Sequence, residues 1–173
     1  ETGSLIACGD KELTHYEEAV ERYQDIFREC CMYRVEAYEG IGELLEFLKS
    51  QGIFIAVLSN KPHPRTLDNV QGVFGKGYFD LVYGEREHKG IKKKPCPDGV
   101  WAIAEELGLS KSEILYLGDT NTDMETGDNA KVDTVGVTWG FRTREELMAF
   151  HPALIADHPS QVVQYIKDVN GIE

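Results

Sequence analysis

Nothing in this sequence is apolar for long enough to cross a membrane as a helix. The longest uninterrupted apolar run, Ile53–Leu58, is strand-sized, well short of the roughly 18 residues a spanning helix needs. Cysteine is sparse: Cys8, Cys30, Cys31 and Cys96, two of them adjacent and with no CxxC. That pattern offers no disulfide framework and suits free thiols in a reducing cytoplasm, so a cytoplasmic location is expected. Positive charge is scarce too. Lys and Arg number 18 against 30 Asp and Glu, a formal net charge of −12. Long-range attraction to nucleic acid or to anionic membranes is thereby excluded. A chain this acidic that still handles an anion needs a metal ion or a local positive pocket. Repeats and low-complexity tracts are absent as well. With 173 residues, 42% of them hydrophobic, the chain has enough material for about one packed domain.

What is present is an alternation of periods. Tyr16, Ala19, Val20, Tyr23 and Phe27 recur at helical spacing, and Ile41, Leu44, Leu45 and Leu48 repeat the pattern after Gly40. The run Ile53–Leu58 then reads as a fully buried parallel strand, with Ser59-Asn60-Lys61-Pro62 as the turn after it. Further strands are predicted at Phe79–Tyr83, Ile114–Leu117, Asp133–Thr138 and Leu154–Ala156, each separated from the next by a helical or Lys-rich segment. Asp98, Thr122 with Glu125, Thr143 with Glu146, and Ser160 are the expected helix caps. Strands alternating with helices give an α/β fold: a Rossmann-like parallel sheet with helices on both faces.

Ligands of open parallel sheets bind at the C-terminal ends of the strands. Those ends carry Ser59-Asn60-Lys61 and Gly118-Asp119-Thr120-Asn121-Thr122-Asp123, and Lys94-Pro95-Cys96-Pro97 enters a helix between them. A hydroxyl, an ammonium and two carboxylates on one edge suit phosphoryl chemistry, which is mostly positioning and electrostatic stabilisation. Carboxylates hold Mg²⁺ through oxygen, and the metal masks phosphate charge. Taken singly, each group also has a plainer reading. Ser-Asn after a strand is a turn, Lys94 lies in a Lys-rich loop, and Asp123 suits the first turn of a helix. Asn60 and Lys61 are open between substrate contact and packing, and so is Trp139-Gly140-Phe141.

In register, these stretches resemble the haloacid dehalogenase (HAD) superfamily of phosphatases. Ser59 matches its second motif, Lys94 its third, and Gly118-Asp119-Thr120-Asn121-Thr122-Asp123 its fourth, GDxxxD. Leu58–Pro62, Gly118-Asp119-Thr120 and Gly136–Phe141 resemble the phosphoglycolate phosphatase branch. The resemblance implies Mg²⁺-dependent hydrolysis of a small phosphorylated metabolite through an aspartyl-phosphate. It makes Ser59, Lys94 and Asp119 catalytic, Ser59, Asn60 and Lys94 substrate-binding, and Asp119 and Asp123 the metal residues. The same motifs serve phosphomutases, pyrophosphatases and phosphonate hydrolases.

One departure stands out. The family's first motif, DxDxT, carries the nucleophilic Asp and the general acid/base Asp, and this sequence contains no Asp-x-Asp. The chain also starts at Glu1 without Met. It is therefore expected to be an N-terminally truncated or partial phosphatase: residues 1–36 a partial helical cap, residues 37–173 an α/β core without its central first strand. Taken literally, the missing motif leaves a non-catalytic module that binds phosphate or a partner.

Overall fold

The computed structural model describes residues 15–30, 32, 33 and 35–172. Positions 1–14 of the expected cap piece, and Cys31 at its expected helix end, lie outside them. The chain divides into two compact units, Glu1–Val35 and Glu36–Glu173. In the first, helix α1 (Tyr16–Cys30) opens with Glu17 and Glu18 in its first turn, where the helix dipole favours acidic residues.

The second unit alternates helix and strand throughout: α2 (Ile41–Ser50), β1 (Ala56–Pro62), α3 (His63–Phe74), β2 (Leu81–Glu85), α4 (Asp98–Leu107), β3 (Leu115–Gly118), α5 (Asn121–Ala130), β4 (Asp133–Val137), α6 (Arg144–Met148), β5 (Leu154–Ala156) and α7 (Pro159–Asn170). Every strand pairing is parallel, which helical crossovers permit and tight hairpins do not. The strands form two sheets, β1-β2 and β3-β4-β5. Leu58 pairs with Tyr83 in one; Gly118 pairs with Gly136 and Val137 with Ala156 in the other. β1 and β3 therefore each have one edge with no strand beside it among the described residues.

Strand alternation explains how β4 is covered. Val135 and Val137 enter a buried cluster with Leu44 of α2, Ala156 of β5, and Val162 and Ile166 of α7. Thr134 and Gly136 point the other way. Thr134 meets α5 at Gly127, and Gly136 meets Leu147 of α6, whose side chain is fully buried. A sheet sandwiched between α2 with α7 and α5 with α6 is the two-faced α/β arrangement that the alternating pattern predicts.

Local differences from the sequence reading are informative. The first strand is Ala56–Pro62 and runs through the expected turn; Ile55 is buried but Ala56 is exposed. The apolar run is not enclosed because β1 has a ladder on one side only. Helix α5 is capped by Thr120 with Asp123, two residues earlier than the expected box. The chain is still extended at Thr120, so Asp123 becomes the third helical residue. Pro97 precedes α4, leaving the Asp98 carboxylate to accept from the Lys92 N–H and the Cys96 thiol. His158 caps α7, with Pro159 in the first helical position, where its fixed φ suits a helix start. The Thr143–Glu146 box is as expected.

Leu147 is 0% exposed and bridges α6 to β4. Leu147→Ala should cost about 3 kcal/mol, the usual range for a buried leucine that leaves a cavity. Urea unfolding of the two proteins measures it.

Candidate active site

One ammonium, on the loop between β2 and α4, links β1 to the first turn of α5. Lys94 Nζ lies 3.3 Å from the Leu58 carbonyl oxygen of β1 and 2.7 Å from Asp123 Oδ1 of α5. Its side chain is 14% exposed and that of Asp123 8%. Two charges held this far from water persist only when hydrogen bonds complete both shells. Asp123 meets that condition. Oδ1 accepts from Lys94 and from the Tyr116 hydroxyl at 3.2 Å; Oδ2 accepts from the Thr120 hydroxyl at 2.6 Å and the Thr120 N–H at 3.2 Å. Burial alone would push the Asp123 carboxyl up, but the Lys94 charge and these donors outweigh it and hold it below its ordinary value. Burial, and then the Asp123 charge, push the Tyr116 phenol well up, so it stays protonated as a donor.

Glycine makes this approach possible. A Cβ on Gly118 would sit 2.1 Å from Asp123 Cβ, so only a residue without one lets the first turn of α5 fold back over the end of β3.

Asp119 follows Gly118 and is half-buried. Its Oδ2 accepts the Phe141 N–H at 3.0 Å. Gly140 lies so close that an added Cβ would fall 2.1 Å from Asp119 Oδ2. The Gly140-Phe141 backbone thus fixes Asp119, while the Phe141 side chain is 84% exposed. Ser59 Oγ accepts the Lys61 N–H at 3.1 Å, which leaves its own proton available to donate. Lys61 Nζ is bonded to Asn69 Oδ1 at 2.7 Å. Asn60 spends both ends of its amide on the Lys94 backbone: Oδ1 accepts the Lys94 N–H at 2.8 Å and Nδ2 donates to the Lys94 carbonyl at 3.0 Å.

The structure thus brings Asn60, Lys94 and Asp123 into one bonded network, which also touches the β1 backbone beside Ser59. Asp119 stands apart from that network, on the Gly140-Phe141 loop. Asp123, expected beside a metal, has all its acceptor capacity directed at Lys94, Tyr116 and Thr120. Three contributors escaped the sequence reading. For Thr120 the signal was a Thr-x-x-Asp spacing with Asp123. Tyr116 and the Asn129 amide, which donates to the Pro95 carbonyl at 2.9 Å, have no local signal.

No cluster of three His, Cys, Asp or Glu among the described residues is arranged to hold a metal alone. Magnesium rarely needs such a cage. It takes one or two carboxylates and completes its shell with waters and substrate phosphate. Asp119 is an oxygen donor of the right kind, with Oδ2 engaged only by a backbone N–H, so it fits the protein's share of such a shell.

Comparison with known proteins agrees with this architecture. Residues 5–137 match the family model of the haloacid dehalogenase-like hydrolases, and the chain belongs to that family. It is 28% identical over 150 residues to the phosphoglycolate phosphatase of Pectobacterium atrosepticum, covering 87% of this chain and 63% of that protein. It is 29% identical over 147 residues to the N-acetylmuramic acid 6-phosphate phosphatase of Pseudomonas aeruginosa, covering 84% of this chain and 64% of the relative. The chain thus spans a little under two thirds of the length of these relatives. A crystal structure from Lactobacillus delbrueckii subsp. bulgaricus, provisionally named a phosphoglycolate phosphatase, superposes with a TM-score of 0.82 at 29% identity, over 96% of this chain and 72% of the other.

The depressed Asp123 value has a stability consequence. A carboxyl whose folded pKa lies below its unfolded value stabilises the fold above the unfolded pKa, and loses that contribution as pH falls through the folded one. Denaturant midpoints should therefore drop on acidification below about pH 4, the ordinary carboxylate range. Asp123→Asn should lower stability at neutral pH by about 3 kcal/mol, the scale of a broken buried pair, and flatten the acid limb of the profile.

Proposed function

We propose that the protein hydrolyses a small phosphate monoester of the phosphoglycolate type, with Mg²⁺ as cofactor and a nucleophilic Asp carried by a segment outside these 173 residues. The observation that carries this reading is the Lys94 ammonium, held by Asp123 and by the Leu58 carbonyl next to Ser59 on β1, together with the fixed carboxylate of Asp119 directly after β3. Parallel sheets bind their ligands at the C-terminal ends of their strands.

In this reading Ser59 donates its hydroxyl proton to a phosphoryl oxygen. Lys94 neutralises the transferring group and draws the nucleophilic carboxylate into line. Asp119 holds the metal, which supplies charge compensation to the phosphoryl oxygens. Asp123 acts on the site through Lys94 rather than through direct coordination. Attack by the outside Asp would form an aspartyl-phosphate as the P–O bond to the leaving group breaks, with the second Asp of the same outside motif giving its proton to the departing alcohol; that Asp, now ionised, would take a proton from the water that cleaves the acyl-phosphate. The unpaired edges of β1 and β3 support the outside nucleophile. A strand lying between them would satisfy both ladders and end beside Ser59, Lys94 and Asp119. Other HAD reactions use the same groups, so the phosphoglycolate-type substrate rests on the resemblance to named relatives.

The test is Mg²⁺-dependent turnover of an aryl phosphate by the protein that includes the nucleophile-bearing segment, followed by a screen of phosphate monoesters. Asp119→Asn should lower kcat by about three orders of magnitude and Lys94→Met by about two, the scale of losing one charge-stabilising group. EDTA should abolish turnover. Unchanged rates in both variants would overturn the site. Residues 1–173 alone should show no turnover; native rates from them would place the nucleophile inside this chain.

A further inference from the structure

We infer that Asn60 is a positioning residue that sets the place of the Lys94 ammonium by gripping its backbone, and is not a substrate contact. The amide of Asn60 reads the Lys94 peptide as a neighbouring strand would, with one acceptor for the N–H at 2.8 Å and one donor for the C=O at 3.0 Å. An Asn side chain offers one acceptor oxygen and one NH₂ group. Here the oxygen and one of the two amide protons are engaged by the Lys94 backbone, which commits most of the amide's bonding to that loop.

The grip matters because of what Lys94 otherwise rests on. A lysine side chain has four rotatable bonds and gives up much rotamer freedom when its head is fixed. The head is fixed at two points, the Leu58 carbonyl and Asp123. Its backbone lies in a polar, Lys-rich loop outside any helix or strand. Two asparagines tie that loop to the sheets and helices around it. Asn60 holds Lys94 itself from β1, and Asn129 holds the Pro95 carbonyl from α5. Asn60 and Leu58 belong to the same strand, so one strand positions both the root and the tip of the Lys94 side chain. Ser59, between them, is thereby kept at a constant distance from the ammonium.

Asn60 is exposed, so Asn60→Ala removes the grip without opening the core. The first measurement is the rate at which acetic anhydride labels Lys94, read by peptide mass spectrometry, with Lys61 as internal control. Lys61 is bonded to Asn69 and lies on the same strand. Asn60→Ala should raise Lys94 labelling about tenfold and leave Lys61 unchanged. No rise at Lys94, or an equal rise at both lysines, overturns the inference, since the second is what general loosening produces.

The second measurement is a double-mutant cycle on binding of inorganic phosphate. The inference rests on the phosphatase reading only for what Lys94 does with phosphate. Asn60→Ala should weaken phosphate binding several-fold in the wild-type background and have no further effect on Lys94→Met. Additive effects mean that Asn60 touches phosphate directly, and overturn it. If the wild-type protein binds phosphate without any dependence on Lys94, the functional reading fails, and the labelling result alone decides the role of Asn60.

Discussion

A buried ammonium beside a buried carboxylate is a costly arrangement unless both are fully solvated by protein, and the Lys94–Asp123 pair organises its surroundings accordingly. Asp123 draws the Tyr116 phenol out of β3 and the Thr120 hydroxyl and N–H out of the turn that follows. Lys94 takes a backbone carbonyl from β1. One ion pair therefore links β1 to the helix that follows β3, across two sheets that share no hydrogen-bonded ladder among the described residues. The absence of Cβ at Gly118 is part of the same constraint, since any larger residue would push Asp123 out of reach of the strand end.

The two acids of the GDxxxD stretch, alike in sequence, end with opposite assignments. Four donors converge on Asp123, so its negative charge is committed inside the protein. Asp119 has its orientation set by Gly140 and the Phe141 N–H. Oδ2 carries that single backbone bond, so the carboxylate keeps acceptor capacity for an outside group. A net charge of −12 is thus compatible with an anionic ligand. Of the two carboxylates in this stretch, one is cancelled by Lys94 and the other keeps acceptor capacity beyond its bond from the Phe141 N–H.

Much of this was legible from periodicity and punctuation. The β-branched runs and the helical repeats located most elements, because each depends on residues near in sequence. The GDxxxD spacing pointed to the strand end for the same reason. The grip of Asn60 on Lys94 could not be seen, since it joins residues 34 apart and either asparagine group alone suggests a turn. Tyr116 was equally silent: a tyrosine in a strand reads as packing, and only the fold brings it beneath Asp123. The cap of α5 was misplaced because two Thr-x-x-acid patterns overlap there, and only the extended backbone at Thr120 decides between them.

The split sheet is what turns these local facts into a statement about the whole protein. Unpaired strand edges are exposed rows of backbone donors and acceptors, which sheets ordinarily blunt or cover. Among the described residues β1 and β3 each keep such an edge, and Leu117 on β3 is 37% exposed although its strand neighbours a buried core. Neither edge is protected by a proline inside its pairing stretch or by charged residues: Ala56-Val57-Leu58 and Leu115-Tyr116-Leu117 are apolar or aromatic. Apolar edges of this kind are the pattern of interior strands, not of sheet borders. Ser59 lies on β1 and Asp119 directly follows β3. A strand added between β1 and β3 would complete both ladders, which is what two rows of unpaired backbone groups on apolar strands call for.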